Sequence, residues 1–229
     1  MKKILFAASE CVPFIKTGGL ADVVGSLPKS FDKEEYDVRV IIPKYMCIDQ
    51  KWKDQVTYID HFYMDLCWRK QYVGIMELEY EGVKIYFIDN EYYFGGEKPY
   101  SDARYDLEKF AFFSRAVLSA LPVIDFRPDV IHCHDWQTGM VPVLLNAYYN
   151  KDTFYQGIKT VFTIHNLRYQ GIYSIDIVSD FFSLNRDFFT ADKLEFHGCA
   201  NLLKGGIVYS DYKSDICVRN TNPDGRRKA

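Results

Sequence analysis

Lys3-Ile4-Leu5-Phe6-Ala7-Ala8, a loop as far as Gly18-Gly19, and then Leu20-Ala21-Asp22-Val23-Val24 form the stretch on which the fold turns. After its lysine the first run is apolar without alternation, the pattern of a strand buried on both faces in a parallel sheet covered by helices. Pro13 marks the loop, and beyond the glycine pair Leu20, Val23, Val24 and Leu27 recur at helical spacing. Val38, Val40 and Ile42 then alternate until Pro43 stops them, which completes a β-α-β unit. The expected class is α/β, with a doubly wound, mostly parallel sheet.

Further along, Val56 to Leu66, Gln71 to Tyr80 and Val83 to Ile88 read as strands, the last two parted by a Glu81-Gly82 turn. Part of this region is expected to be a β-hairpin inserted at one side of the sheet. Leu107, Phe110, Ala111, Ser114, Val117, Leu118 and Leu121 fall on one stripe of a helix. Pro128 to His134 reads as a short strand, with Asp135 as N-cap of the next helix. Lys159 to His165 is another buried strand, followed by a loop from Asn166 to Tyr173. Asn201 to Ser210 reads as a helix although it contains Gly205-Gly206, and an interior glycine costs about 1 kcal/mol against alanine. From Tyr212 to Ala229 apolar residues are few and Pro223-Asp224-Gly225 signals a turn, so a frayed, disordered tail is expected there.

Composition narrows the function classes. Hydrophobic residues make up 48% and charged residues 26% of the 229, which places the chain among globular proteins rather than disordered ones. A net charge of -3 leaves no electrostatic footprint for nucleic acid or for an anionic membrane, so neither is expected as a partner. Ile4 to Ala8 is shorter than the core of a secretory signal, and no apolar run is long enough to cross a bilayer. The six cysteines are scattered without paired or zinc-like spacing, as in a reducing cytoplasmic compartment. Tyr, Phe and Trp reach 17%, and flat rings suit sugar faces, but rings in such numbers are first of all core packing.

In an open parallel sheet, ligands bind beyond the carboxyl ends of the strands. Three segments end in polar constellations at that edge. The first, Lys16-Thr17-Gly18-Gly19-Leu20-Ala21-Asp22, joins glycines that let a backbone approach a ligand, a helix start with free N–H groups and a lysine suited to a phosphate. It departs from G-x-G-x-x-G, which argues against a dinucleotide fingerprint. In the second, His132 and His134 share a strand face, but two ligands fall short of a zinc site, so no metal or cofactor is expected. Asp135 and Trp136 there either present a carboxylate and a ring to a ligand or cap the helix and fill the core. The third is Thr163-Ile164-His165-Asn166, with Tyr169-Gln170-Gly171 beyond it.

Taken in order, Lys16-Thr17-Gly18-Gly19-Leu20-Ala21-Asp22-Val23, His134-Asp135-Trp136, Thr163-Ile164-His165-Asn166-Leu167, Tyr169-Gln170-Gly171 and Leu203-Lys204-Gly205-Gly206 resemble the N-terminal half of bacterial glycogen synthase and plant starch synthase. The resemblance runs from Met1 to Asp211. It implies the N-terminal catalytic domain, 1–211, of a two-domain GT-B glycosyltransferase with Rossmann-like halves facing across a cleft. That family moves glucose from ADP-glucose to the nonreducing end of an α-1,4-glucan such as glycogen, with retention of configuration and generally without a metal. The resemblance also implies roles. Lys16 contacts the phosphates of the departing ADP while Gly18 and Gly19 let the loop close, and Asp22 is a further polar candidate in that loop. His165 lies beside the transferred glucose, Asp135 and Trp136 shape the acceptor side, and Asn166 and Tyr169 support it. His165, Asp135 and Lys16 are the expected catalytic residues.

Two departures qualify the resemblance. Gln137 stands where some relatives carry His, and after Asp211 the segment 212–229 diverges, with no nucleotide-sugar half following it. The chain therefore reads as a truncated half, inactive alone and prone to self-association through the face that would meet the other half. A non-enzymatic glucan-binding module is the alternative of a different class, and a flavodoxin-like nucleotide-binding domain is a third.

Overall fold

The computed structural model describes residues 1–215. The expected β-α-β unit is present as β1 (Lys2–Ala7), α1 (Gly19–Ser26) and β2 (Tyr36–Pro43). After a short α2 (Gln50–Lys53) come β3 (Thr57–Leu66), β4 (Arg69–Tyr80) and β5 (Val83–Asp89). Next are α3 (Glu91–Phe94), the long α4 (Ala103–Val123), β6 (Val130–His134), α5 (Asp135–Thr138) and α6 (Met140–Ala147). The described part closes with β7 (Lys159–Ile164), β8 (Ile172–Ser174), α7 (Ile175–Phe182), β9 (Glu195–Phe196), β10 (Cys199–Asn201), α8 (Leu202–Tyr209) and β11 (Tyr212–Asp215).

Eight strands form one sheet in the order β11-β7-β6-β1-β2-β5-β4-β3. The six from β11 to β5 are parallel, and β4 and β3 add an antiparallel hairpin at the edge beyond β5. From β1 the chain winds outward through β2 and β5, then returns to the other side of β1 and winds the opposite way through β6 and β7. Such a reversal leaves a crevice outside the strand ends where the two windings part. Leu5, Phe6, Ala7 and Ala8 are all fully buried, so both faces of β1 are covered, as its unbroken apolar run requires. A second small sheet, β8-β10-β9, is antiparallel.

Two local readings change. The tail expected from Tyr212 onward is a strand over its first four residues, paired in parallel with β7 from Tyr212↔Val161 to Asp215↔Ile164. Asp211 anchors that edge, its carboxylate accepting the Thr160 N–H at 2.9 Å and Lys159 Nζ at 2.9 Å. An edge strand exposed to solvent carries polar residues, so Tyr-Lys-Ser-Asp gives no apolar pattern to read. The remaining tail, 216–229, lies outside the described residues. Asp135, read as an N-cap, is instead the first residue of α5, and its carboxylate turns away from that helix.

The Gly205-Gly206 pair also acquires a reason. A Cβ on Gly206 would sit 2.5 Å from the Phe162 ring of β7, so the bare backbone is what lets α8 approach the sheet. Gly206→Ala is therefore expected to lower stability by about 1–3 kcal/mol through overpacking, despite the better helix propensity of alanine, as read by urea denaturation.

Candidate functional site

The carboxyl ends of β1, β6 and β7 lie side by side, with Phe6 paired to His132, Cys133 to Phe162 and His134 to Thr163. Their polar continuations, Ser9-Glu10, Asp135-Trp136 and His165-Asn166, consequently converge. They open onto a cleft of about 960 Å³ that also receives Thr17, Gly18 and Gly19 from the loop before α1 and Tyr169 from the loop after β7.

Asp135 ties two of these ends together. Its Oδ1 accepts the His165 N–H at 2.7 Å and the Asn166 N–H at 3.3 Å. To aim there the residue takes a left-handed backbone, φ +56°, a conformation unfavourable for a side chain without compensation elsewhere. Burial raises its carboxyl to about 6, against the lowering effect of those two amide bonds.

Three histidines stack behind it. The rings of His132 and His134 lie 4.2 Å apart, and those of His134 and His165 5.2 Å apart. His134 Nδ1 and His165 Nε2 are joined by a 2.9 Å hydrogen bond, and His132 Nε2 bonds Thr163 Oγ1 at 2.7 Å. Burial pushes His132 down to about 4, His134 well below its ordinary value and His165 below its own. The imidazoles are thus neutral near pH 7, and a single proton lies between His134 and His165. No cluster of three or more metal-binding side chains occurs among the described residues.

Sequence reasoning missed the clamp that holds the glycine loop. Glu10, almost completely buried, accepts the Thr17 N–H, the Thr17 hydroxyl at 2.7 Å and the Tyr100 phenol at 2.5 Å. Tyr100 also bonds Ser9 at 2.9 Å, and burial with the Glu10 charge lifts its phenol well above the usual range. The segment bearing Tyr100 is fixed in turn by the buried pair Asp106–Lys109, 2.7 Å apart, with Asp106 accepting the Ser101 N–H at 3.0 Å. The available signal was a carboxylate directly after a wholly buried strand. Gln137, noted in the sequence only as a departure from relatives, also lines the cleft, buried, with its Oε1 unpartnered among the described residues.

Of the residues expected at the site, Gly18, Gly19, Asp135, Trp136, His165, Asn166 and Tyr169 meet in the cleft lining. Lys16 and Asp22 do not line it and instead pair with each other at 2.7 Å in solvent. Trp136 is both core and wall. It packs edge-on against Phe110, centroids 5.3 Å apart, beneath Gly171, whose φ is +62° and at which a Cβ would sit 2.6 Å from the indole, so only a bare backbone fits there. Gly18 and Gly19 differ from Gly171, because a Cβ at either would meet no protein atom within 4 Å. Packing within this chain does not require glycine there.

The starch synthase catalytic domain family matches residues 3–214, and the chain belongs to that family. It is 61% identical to the glycogen synthase of Lachnoclostridium phytofermentans over 94% of its length and 45% of that relative's. It is 62% identical to the glycogen synthase of Lachnospira eligens over 92% of its length and 44% of that relative's. The chain thus spans a little under half the length of these curated relatives. Its fold superposes on the catalytic domain of starch synthase IV from Arabidopsis thaliana, bound to ADP and acarbose, with a TM-score of 0.84 at 28% identity, covering 93% of this chain and 44% of that one.

Two outcomes follow from this geometry. Between pH 3.8, the ordinary value of the carboxyl, and about 6, the folded state holds the Asp135 proton more tightly than the unfolded one, so this group's contribution to stability falls as pH rises. The histidines act in the opposite sense, costing stability as pH falls below their ordinary 6.5. Asp135→Asn keeps an acceptor for the two amides and loses the charge. Its stability relative to the parent should therefore improve between pH 4 and pH 7, measured as paired urea midpoints. Gly18→Ala and Gly19→Ala should each leave stability within about 0.5 kcal/mol of the parent in the same measurement.

Proposed function

We propose that this cleft is one wall of a retaining glucosyltransferase that moves glucose from ADP-glucose to the nonreducing end of an α-1,4-glucan. The observation that carries the reading is the meeting of Thr17-Gly18-Gly19, Asp135-Trp136 and His165-Asn166 in one cleft at the reversal of strand order, in a chain of the starch synthase family. The ADP and acarbose held by the Arabidopsis relative support a nucleotide and a glucan-like ligand as the pair to test.

The glycine loop and the start of α1 present backbone N–H groups suited to a diphosphate. Lys16 reaches that phosphate by exchanging Asp22, since an exposed ion pair of this kind holds its partner weakly. A cation placed against the departing diphosphate stabilises charge that grows in the transition state. As the bond from glucose C1 to the phosphate oxygen breaks, a bond from C1 to the acceptor hydroxyl oxygen forms on the same face. The acceptor proton passes to the leaving phosphate. His165, neutral and fixed by Asp135 through its backbone and by His134 through its ring, holds the transferred glucose without adding a charge beside C1. Trp136 and Tyr169 supply the apolar surface of the acceptor side, and Asn166 supplies a polar edge. A cytoplasmic setting belongs to the same reading, supported by five free thiols among the described residues.

Calorimetric titration with maltotetraose and with ADP-glucose tests the reading, together with glucose incorporation from labelled ADP-glucose into glycogen. Both ligands should bind, Gly19→Ala should weaken ADP-glucose alone, and any incorporation should fall by about 100-fold or more in Lys16→Ala and His165→Ala. Glucan binding with no response to ADP-glucose would turn the reading into that of a glucan-binding module. Preference for a flavin over both ligands would overturn it.

A further inference from the structure

A second depression, of about 810 Å³, lies outside the cleft and is lined by the β3–β4 turn, Arg104 and α7. Trp68 stands at its rim. Strands β3 and β4 pair up to Leu66↔Arg69, so Cys67 and Trp68 make a two-residue hairpin turn. Such turns favour Asn-Gly or Gly-X, and an indole at the tip contradicts that preference. Trp68 is 85% exposed, whereas Trp136 is buried and Trp52 packs against the core.

The turn is also held in place. Cys67 adopts φ +54° and donates its Sγ–H to the Asp180 carbonyl at 2.9 Å. Arg69 pairs with Glu108 of α4, and its guanidinium lies 5.3 Å from the Trp68 ring. An exposed ring on a braced turn loses little freedom when a ligand covers it. Around it, the Arg104 guanidinium and the Asp180 carboxylate form no ion pair among the described residues, so a donor and an acceptor are both free beside an apolar face. That combination suits a sugar ring, whose C–H face stacks and whose hydroxyls both donate and accept.

The depression adjoins the cleft. Ala103 lines the cleft and Arg104 the depression, as consecutive residues of α4, and Tyr173 of the cleft and Asp176 of the depression flank the start of α7, three residues apart. We propose that the groove beside Trp68 is a remote subsite for an α-1,4-glucan, with one glucose unit stacked on the indole and its hydroxyls bonded by Arg104 and Asp180. The proposal rests on the glucan reading of the cleft. It adds that a chain longer than the cleft is held a second time at the hairpin turn, which raises the residence of a polymer over that of a short oligosaccharide.

Affinity electrophoresis in gels containing glycogen, with calorimetry on maltoheptaose and maltotriose, provides the test. Trp68→Ala should weaken glycogen and maltoheptaose by about fivefold to tenfold, a stacking contribution, and leave maltotriose in the cleft unchanged. Trp68→Phe should recover most of the loss, and Arg104→Ala should reproduce part of it. Tyr169→Ala, in the cleft, should weaken all three ligands. Wild-type binding of glycogen that Trp68→Ala leaves intact, in protein with an unchanged urea midpoint, would overturn the groove and leave the cleft reading standing. Failure of the unsubstituted chain to bind any glucan would overturn both.

Discussion

Three strands in parallel register, each ending where a polar residue follows, are the constraint on which the site depends. The β1, β6 and β7 strands are held by buried apolar faces, and burial on both sides leaves no freedom to slip by one residue without moving core side chains into the wrong layer. Glu10, Asp135 and His165 therefore emerge at neighbouring points, although they lie far apart along the chain. The Asp135 bond to the His165 N–H finishes the alignment, at the expense of a left-handed backbone at Asp135.

The histidines behind the cleft are arranged to stay uncharged. Burial drives the three histidines toward neutrality and lifts the Asp135 carboxyl, so these groups respond to pH in opposite directions over overlapping ranges. The mobile charge stands at the rim, where the Lys16–Asp22 pair lies in solvent and is free to exchange partners. Neutral, preorganised imidazoles beside a mobile cation suit chemistry in which negative charge develops at a departing phosphate.

The rigid parts and the adaptable parts of this surface have different supports. The Gly18-Gly19 loop is pinned from one side by Glu10 and Tyr100, which are themselves fixed through Asp106 and Lys109 on α4. That same helix carries Glu108, which braces Arg69 and hence the Trp68 turn. One helix thus positions both the mouth of the cleft and the groove beside it.

Much of this was legible in the residues themselves. An unbroken apolar run identified β1 as a doubly buried strand, Lys159 to His165 read as another buried strand, helical spacing identified α1 and α4, and the motifs at the strand ends named seven residues that do line the cleft. What local pattern could not reveal was which partner each polar group would choose. Asp135 looked like a cap because aspartate caps helices, yet the neighbouring strand offered two amides in a better place. Tyr212 to Asp215 looked like tail because an edge strand need bury nothing, and Gly206 looked like a defect until Phe162 arrived beneath it. Sequence by itself determined the central strands, the order of the motifs and the parallel sheet they imply, because hydrophobic period is a local property. Only the tertiary structure decided the Glu10 clamp, the stacked histidines, the Lys16–Asp22 pairing and the groove at Trp68, because hydrogen bonds and exposure are set by neighbours that the chain brings from far away.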